Sequence, residues 1–256
     1  MYKELNSYSF KKQLDLPENY EVTALLSFGH YNTERSVKIL KDTLSNLGIN
    51  YESKMLAGFM SNILEIRINT KIYWFVVAYG GSAFSEYVHL ACVFGSQKNI
   101  HIGSCGGLNE TISSASLIIP TYSYGDESTT RMYERNIIDN KHYPDGKLST
   151  SLKQKINKSF SLYEGPIITI QAMLAETQED VQKWSKDGYY GIEMETAILF
   201  AISNHFKVPS SALLWVSDNL IKGQVVGDAQ HINERELRDK NKNEAFRVAA
   251  SELLEE

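Results

Sequence analysis

Hydrophobic residues along the chain fall into two patterns, short continuous runs and longer segments in which they recur every three or four positions. Residues 24–28 form a continuous run that ends at Gly29, and residues 72–79 form the clearest such run. Runs of this length next to glycine are typical of buried strands. Between them, residues 33–47 carry leucines and a valine at helical spacing before Gly48, which predicts a helix ending at this glycine.

The same alternation continues towards the C-terminus. The later segments that predict strands are 99–102, 116–119, 166–170 and 211–216. Those that predict helices are a segment from residue 84 and the segments 193–205 and 233–254. Strands that alternate with helices pair in parallel through right-handed crossovers, so the sequence predicts an α/β protein.

Two regions fit this alternation less well. Residues 1–20 precede the first strand and are expected to form an N-terminal extension. Residues 122–152 are polar and irregular, with Gly125, Pro144 and Gly146. We expect this second region to be an excursion over the surface, because long loops of this kind are usually functional or mobile.

Composition narrows the functional classes. The 256 residues are 43% hydrophobic and 22% charged, as in a globular domain, and the formal net charge is −5. No long basic or apolar run is present, which argues against nucleic acid partners and membrane insertion. Cys92 and Cys105 are the only cysteines, and the N-terminus lacks the apolar core of a signal peptide. We therefore expect a cytoplasmic protein.

Glycine-rich or polar segments follow several predicted strands, where ligands gather in parallel sheets. They are the segments 80–82, 103–107 and 217–219. The second reads Gly-Ser-Cys-Gly-Gly, and its backbone amides could hold an anion together with the Ser104 hydroxyl. The alternative is a tight turn between strand and helix with no ligand.

Three acidic residues are candidates for chemistry. Glu193 and Glu195 stand at a predicted helix start, where the helix dipole alone accounts for acids; alternatively, one carboxylate could accept hydrogen bonds from two vicinal hydroxyls. Asp218 follows a predicted strand and could be an ordinary turn residue. If burial raises its pKa, it could instead donate a proton to a leaving base.

Taken together, these segments resemble a known family. Gly-Ser-Cys-Gly-Gly at 103–107, Glu-Met-Glu at 193–195 and a strand ending in Ser-Asp at 217–218 are similar to the purine branch of the nucleoside phosphorylases. Relatives of that branch include uridine phosphorylases and the nucleosidases that hydrolyse methylthioadenosine. The resemblance implies a single domain over 1–256, a three-layer α/β/α fold with a central mixed, largely parallel twisted sheet.

The resemblance also implies roles for individual residues. Ser104 would contact phosphate or the nearby ribose. Met194 and Glu195 would hold the ribose, with Glu195 accepting from the 2′- and 3′-hydroxyls. Asp218, supported by Ser217, would protonate or hydrogen-bond N7 of a departing purine.

The identity of the base is indicated less directly. Uridine phosphorylases lack an aspartate at the position of Asp218, so the resemblance favours a purine or purine-like nucleoside. Residues 169–174 match the family segment that lines the base pocket, so Met173 or Leu174 would pack on the base. Ordinary core packing is the alternative for both side chains.

The chain departs from the family where phosphate binds. The family's first phosphate arginine stands four residues after the glycine that matches Gly29, where this chain has Thr33; the nearest arginine is Arg35. The second phosphate arginine is replaced by His101. Neither threonine nor neutral histidine copies the charged, planar fork of arginine.

Three hypotheses remain open from the sequence. In the first, the chain is a phosphorylase whose phosphate site is rebuilt from Gly29, Arg35, His101 and Ser104, with Lys54 as a further candidate. In the second, it is a hydrolase in which water replaces phosphate. In the third, it is a non-catalytic nucleoside-binding module. The retained acidic residues argue against the third.

The resemblance implies a homo-oligomer, a dimer or a trimer of dimers, and no cofactor beyond phosphate as co-substrate. The histidines have no metal-ligand spacing, so no metal site is expected.

Overall fold

The structure, a computed structural model, describes residues 2–114, 116–224 and 226–255. Its helices are α1 Ser7–Gln13, α2 Thr33–Asn46, α3 Gly81–Val93, α4 Thr130–Tyr133, α5 Gly146–Lys155, α6 Gln178–Lys186, α7 Thr196–Phe206, α8 Ala229–Asn233 and α9 Arg235–Leu254. Its strands are β1 Ala24–Gly29, β2 Glu52–Met55, β3 Ile63–Ile68, β4 Lys71–Ala78, β5 Asn99–Gly107, β6 Leu117–Asp126, β7 Lys141–His142, β8 Leu162–Ile170, β9 Gly191–Glu193 and β10 Ser210–Asn219. Short 3-10 turns lie at Tyr2–Glu4, Gly58–Met60, Met173–Ala175 and Leu220–Lys222.

Helix α2 shows how local sequence sets these boundaries. The side chain of Asn32 accepts a hydrogen bond from the backbone N–H of Arg35 at 2.9 Å and so caps the first turn. The helix ends before Leu47, and Gly48 then adopts a φ of +71°, a left-handed conformation that glycine tolerates. The predicted helix is confirmed almost residue for residue.

All ten strands belong to one sheet, in the order β10-β6-β8-β9-β5-β1-β4-β3-β2, with β7 beside β6. Strand β10 also pairs with β5. The strands β5, β9, β8, β6 and β10 therefore close into a small barrel, and β1, β4, β3 and β2 extend from β5 as an open sheet.

The α/β prediction and the mixed sheet are confirmed, but two details of the predicted fold need correction. The pairings β2–β3, β3–β4, β5–β9, β6–β7 and β6–β10 are antiparallel, so the sheet is less parallel than predicted. The predicted three-layer α/β/α arrangement also does not describe the barrel half of the sheet. The hairpins that bring β2, β3 and β4 together are too short for parallel crossovers.

Hydrophobic side chains on the two faces of β1 define two cores. Leu26 and Phe28 pack with α2 and α9, and Phe28 meets Phe246 of α9 edge-on at 5.1 Å between ring centroids. Leu25 points to the other face and packs with α3 and α7 around Trp74. Successive side chains of a strand point to opposite faces of the sheet, and both faces of β1 are buried, so its residues contribute alternately to the two cores. A smaller cluster from four barrel strands consists of Cys105, Ile118, Ile167, Leu214 and Val216, joined by Ile112.

The region 122–152 is more ordered than the surface excursion that the sequence predicts. Strand β6 does not stop at Pro120 but continues to Asp126, with a register irregularity against β8 between Pro120 and Ser123. Such irregularities accommodate a proline, which cannot donate a ladder hydrogen bond. Helix α5 then buries Leu148 and Leu152 in the core.

The N-terminal region is also integrated into the fold. In α1, Phe10 packs against the core formed with α3 and α7, and Tyr20 is buried in the same core. Among the described residues, no helix has the length and apolar character that crossing a membrane requires.

Candidate active site

The ends of β1, β5 and β10 lie side by side. Strand β1 pairs with β5 so that Gly29 stands opposite Gly103, and β10 pairs with β5 so that Asp218 stands opposite Gly106. The β10 register shifts between Val216 and Asp218, which leaves Ser217 as the extra residue of a β-bulge. The topology thus gathers the predicted strand-end segments 103–107 and 217–219 beside Gly29. The third segment, 80–82, follows β4, in which Ala78 pairs with Gly29.

The glycine-rich segment 103–107 is a strand and not the anion-holding turn that was predicted. Gly106 and Gly107 pair with both β10 and β9. A Cβ on Gly106 would lie 2.8 Å from Leu220 Cδ1, and one on Gly107 would lie 3.0 Å from Val216 Cγ1. The glycines are therefore needed for close packing between strands, and only the exposed Ser104 side chain remains for a ligand.

A cavity of about 610 Å³ opens beside these strand ends. Five of the predicted site residues line it, namely Gly29, Arg35, Ser104, Met173 and Ser217. The volume is within the range of small-molecule sites. The structure therefore brings together residues that are up to 188 positions apart in the chain, from Gly29 to Ser217.

Glu195 is buried directly behind Gly29, which lines this cavity. Its Oε1 accepts a hydrogen bond from the backbone N–H of Gly80 at 2.6 Å. Its Oε2 lies 2.7 Å from the point that a Cβ on Gly29 would occupy. Burial, followed by the negative charge of Glu193, raises the pKa of Glu195 to about 8, whereas backbone hydrogen bonds from Gly80 and Met194 act in the opposite direction.

Glu193 has a different role from Glu195. It ends β9, and its Oε2 accepts from the backbone N–H groups of Glu195 at 2.8 Å and Thr196 at 2.7 Å, while Thr169 donates to its Oε1. The carboxylate therefore caps α7, which begins at Thr196 and not at residue 193 as predicted. These donors account fully for Glu193 as a helix cap.

His101 does not reach the cavity, contrary to the prediction that it contacts an anion. Its side chain is fully buried, Nδ1 lies 3.0 Å from Ser27 Oγ, and Nε2 has no hydrogen-bond partner. Burial lowers its pKa to about 3, so the ring is neutral at physiological pH. A neutral imidazole in this position cannot replace the charge of an arginine.

Ligand atoms of His101, Glu193 and Glu195 all lie within 4.8 Å of one another, a grouping that sequence spacing could not reveal. The oxygens of Glu193 and one oxygen of Glu195 already accept hydrogen bonds from the protein. The grouping is therefore explained by packing behind the cavity wall.

Asp218 is 5% exposed and lies next to the cavity residue Ser217. Burial raises its pKa, while the Ser217 hydroxyl and the charges of His231 and Arg238 act in the opposite direction. The Ser217 Oγ contacts both Asp218 Oδ1 and the Cys105 carbonyl, the latter at 3.3 Å. The Ser217 hydroxyl is the donor in both contacts, so it fixes the position of the Asp218 carboxyl group beside the cavity.

The remaining predicted residues are placed unevenly. Met173 lines the cavity and its sulfur accepts from the Tyr79 hydroxyl at 3.8 Å. Leu174, by contrast, is 95% exposed and is not among the residues that line the cavity. Met194 is half-buried, with its Cε 3.9 Å from where a Cβ on Gly80 would stand. Lys54 lies on β2, 3.6 Å from Glu65, and does not line the cavity.

A set of basic residues at this cavity was not predicted from the sequence. Arg235, Arg238 and Lys242 of α9 and His231 of α8 line it. The three α9 residues follow one another at spacings of three and four, which places them on one helix face. That periodicity was visible in the sequence, but the direction of the face depends on how α9 packs.

Two further residues of the site were also missed. Tyr79 lines the cavity, and burial followed by the charge of Glu195 raises its pKa. Glu176, after the Met173 turn, has its pKa raised to about 7 by burial and then by Asp218. Neighbouring acids with raised pKa values are typical of functional sites.

Comparisons with known proteins identify the family of this chain. Residues 79–255, more than half of the chain, match the model of the Phosphorylase superfamily. The chain belongs to this superfamily. The resemblance inferred from the three segments is thereby confirmed.

Among curated relatives, the "Purine nucleoside phosphorylase DeoD-type" of Clostridium beijerinckii is 31% identical over 134 residues, covering 52% of this chain and 56% of that protein. The "Guanosine phosphorylase" of Halorubrum lacusprofundi is 26% identical over 155 residues, covering 60% of this chain and 62% of that protein. The chain thus spans less than two thirds of the length of these two relatives.

Among solved structures, a uridine phosphorylase from Vibrio fischeri ES114 superposes with a TM-score of 0.75, covering 94% of this chain and 95% of that one. Its sequence is 18% identical to this chain. The similarity therefore concerns the fold.

Proposed function

We propose that this protein cleaves the N-glycosidic bond of a purine or purine-like nucleoside by phosphorolysis, releasing the free base and ribose 1-phosphate. The single observation that carries the proposal is the shared cavity: Ser104 and Ser217, the latter hydrogen-bonded to buried Asp218, line one space of nucleoside size. In this proposal, Asp218 beside Ser217 serves the base, and the two hydroxyl groups serve the sugar or the phosphate.

The proposed reaction needs a proton at the leaving group. A phosphate oxygen forms a bond to C1′ of the ribose, and the electron pair of the broken C1′–N9 bond passes to the purine. Protonated Asp218 donates its proton to N7, which neutralises the leaving base and lowers the barrier. Burial favours the protonated form of Asp218, as this role requires.

Glu195 is proposed to hold the ribose. Its Oε2 lies beside Gly29, where absence of a side chain leaves room for the carboxyl group. The Gly80 N–H anchors Oε1, and the proposal is that Oε2 accepts from a ribose hydroxyl in a fixed orientation. Met194, the preceding residue, would pack against the sugar.

Support for a purine comes from the acid. Asp218 can donate to N7, an atom that pyrimidines lack, and Met173 offers a flexible apolar surface for a base. Curated relatives of this chain carry the names purine nucleoside phosphorylase and guanosine phosphorylase.

Hydrolysis is the second candidate. The positions of the family's two phosphate arginines hold Thr33 and a buried, neutral His101, which favours water over phosphate as the nucleophile. Water attack at C1′ would release free ribose in place of ribose 1-phosphate, with the same proton transfer from Asp218.

Base release from adenosine, inosine, guanosine and methylthioadenosine, with and without phosphate, tests the proposal. Release that requires phosphate and yields ribose 1-phosphate is expected. Equal release without phosphate would establish a hydrolase. No release from any of these nucleosides by folded protein would contradict both and favour a binding module.

We also propose a homo-oligomer. A groove of about 1010 Å³ lies between α1, α3 and α4. The side chains of Phe59 and Met132 are 56% and 58% exposed there, an arrangement suited to a second copy. Light scattering after size exclusion tests this, and a monomer at micromolar concentration would contradict it.

A further inference from the structure

The wall of the cavity formed by α2 and α9 is strongly cationic. Arg35 of α2 and Arg235, Arg238 and Lys242 of α9 line it, together with one acid, Asp239. Gly29 and Ser104 belong to the same cavity. Four cations and one carboxylate leave an excess of positive charge beside the strand ends.

The cations of this wall are not equally neutralised. Lys242 Nζ lies 2.5 Å from Asp239 and Arg235 Nε lies 3.8 Å from it, so the acid is shared between these two. Within the described part of the chain, neither Arg35 nor Arg238 has a carboxylate oxygen within 4.0 Å. Among the described residues, these two arginines are therefore the cavity cations without a close ion pair, and Arg35 acts on Asp239 only at longer range.

Arg238 is the most informative of the group. Its side chain is 8% exposed, and its Nη1 is buried without a hydrogen-bond partner. Leaving a charged donor buried and unsatisfied is costly unless something else pairs with it. Because Arg238 lines the cavity, a ligand in the cavity can supply the missing acceptor.

We propose that Arg35 and Arg238, assisted by Lys242, bind a phosphate group in this cavity. Two guanidinium groups and an ammonium match a phosphate dianion, and arginine can grip it through paired N–H donors. The phosphate is either free phosphate or a phosphate monoester carried by the nucleoside. The free-phosphate form rests on the proposed phosphorolysis; the monoester form would make the substrate a nucleotide.

This site replaces the one predicted from the sequence. Of the four residues predicted to hold an anion, Gly29, Arg35 and Ser104 line the cavity and His101 does not. The charge missing at His101 is supplied from α9, on another side of the same cavity. The ligand is therefore held between α2 and α9 and the β5 end.

The test is direct titration calorimetry with inorganic phosphate, without nucleoside, at constant ionic strength. Arg35→Gln and Arg238→Gln should each weaken phosphate binding about tenfold or more, the effect of losing a charge-assisted hydrogen bond. Lys38→Gln and Lys240→Gln are matched controls, because they remove exposed cations from α2 and α9 outside this cavity. They should change binding less than about twofold.

A parallel titration with a purine nucleoside and its 5′-monophosphate separates the two sources. Tighter binding of the monophosphate, lost in Arg35→Gln, supports the monoester form, whereas binding of inorganic phosphate alone supports the free form. Arg35 is exposed, so its variant is expected to fold, and thermal melting of each variant checks this. Unchanged affinity for phosphate and monophosphate in both arginine variants, or no binding of either by the wild-type chain, would overturn the site.

The same experiments distinguish failure of the site from failure of the proposed function. Phosphate binding that is lost in the variants, without base release from any nucleoside, would keep the site and refute the phosphorylase. Base release that is unaffected by Arg35→Gln, with unchanged phosphate affinity, would keep the enzyme and refute the site.

Discussion

Replacing Gly29 by alanine tests the position of Glu195 most directly. The added Cβ would lie 2.7 Å from Glu195 Oε2 and 3.2 Å from its Cδ, inside normal van der Waals contact. The carboxylate cannot easily retreat, because Oε1 is held by the Gly80 N–H at 2.6 Å. The φ of Gly29 is not positive, so steric contact and not backbone strain decides the outcome.

The magnitude follows from two opposing effects. Forcing a methyl group into a packed site costs about 1–3 kcal/mol, whereas reducing the freedom of the unfolded chain returns about 0.4–1 kcal/mol. We therefore expect Gly29→Ala to lower the free energy of unfolding by about 1–2 kcal/mol. Because Oε2 must move, the KM for nucleoside should also rise.

Urea denaturation and steady-state base release measure both effects. Gly146→Ala is the control: no atom lies within 4 Å of that Cβ, and the residue begins α5, so stability should not fall. Shortening the acid with Glu195→Asp should remove the contact, so the double variant should be more stable than the two single effects predict. Stability of Gly29→Ala within about 0.5 kcal/mol of wild type, with an unchanged KM, would refute this reasoning.

Three further outcomes are expected. Asp218→Asn should lower kcat for base release by about 10²–10⁴-fold, the usual contribution of a general acid, with little change in nucleoside affinity measured by calorimetry; an unchanged kcat would exclude Asp218 as the acid. The pKa of Glu195 is raised from 4.5 to about 8, first by burial and then by Glu193, so the folded state retains a proton that the unfolded chain releases. The free energy of unfolding should therefore fall as pH rises from 4.5 to 8, by up to about 1.4 kcal/mol per pH unit, and urea titrations of Glu195→Gln should show a shallower slope; an identical slope would contradict the assignment. Glu193→Gln should destabilise the start of α7 by about 0.5–2 kcal/mol, seen by thermal melting, while a stability equal to wild type would show that the cap is unimportant.

Much of the fold was predictable because hydrophobic periodicity is a local property. The strand at 24–28 and the helix at 33–47 appear almost as predicted, since glycine and asparagine mark their ends. The barrel was not predictable, because β5 pairs with three neighbours, β1, β9 and β10. No local pattern states how many partners a strand has.

The site was predictable to the extent that parallel strand ends converge. Ser104 and Ser217 lie at one cavity, as their places after predicted strands indicated. The exclusion of His101 and the exposure of Leu174 depend on side-chain packing, which residue identity does not encode. Arg238 was missed for a related reason: the spacing of residues shows that they share one face of a helix, but it does not show which part of the protein that face contacts.

The bulge at Ser217 has a consequence for how such a site can diversify. Upstream, Leu214 and Val216 are fixed by packing inside the barrel. Downstream, Asn219 is fixed by donating to the carbonyls of Asn109 at 2.9 Å and Ile112 at 2.6 Å. Between these two fixed points, the register of β10 against β5 shifts by one residue. Inserting or deleting a residue at the bulge would therefore change which side chain lies at the cavity, while the strands on either side keep their positions. Under the proposed function, a change in base selectivity at this point therefore requires no new fold.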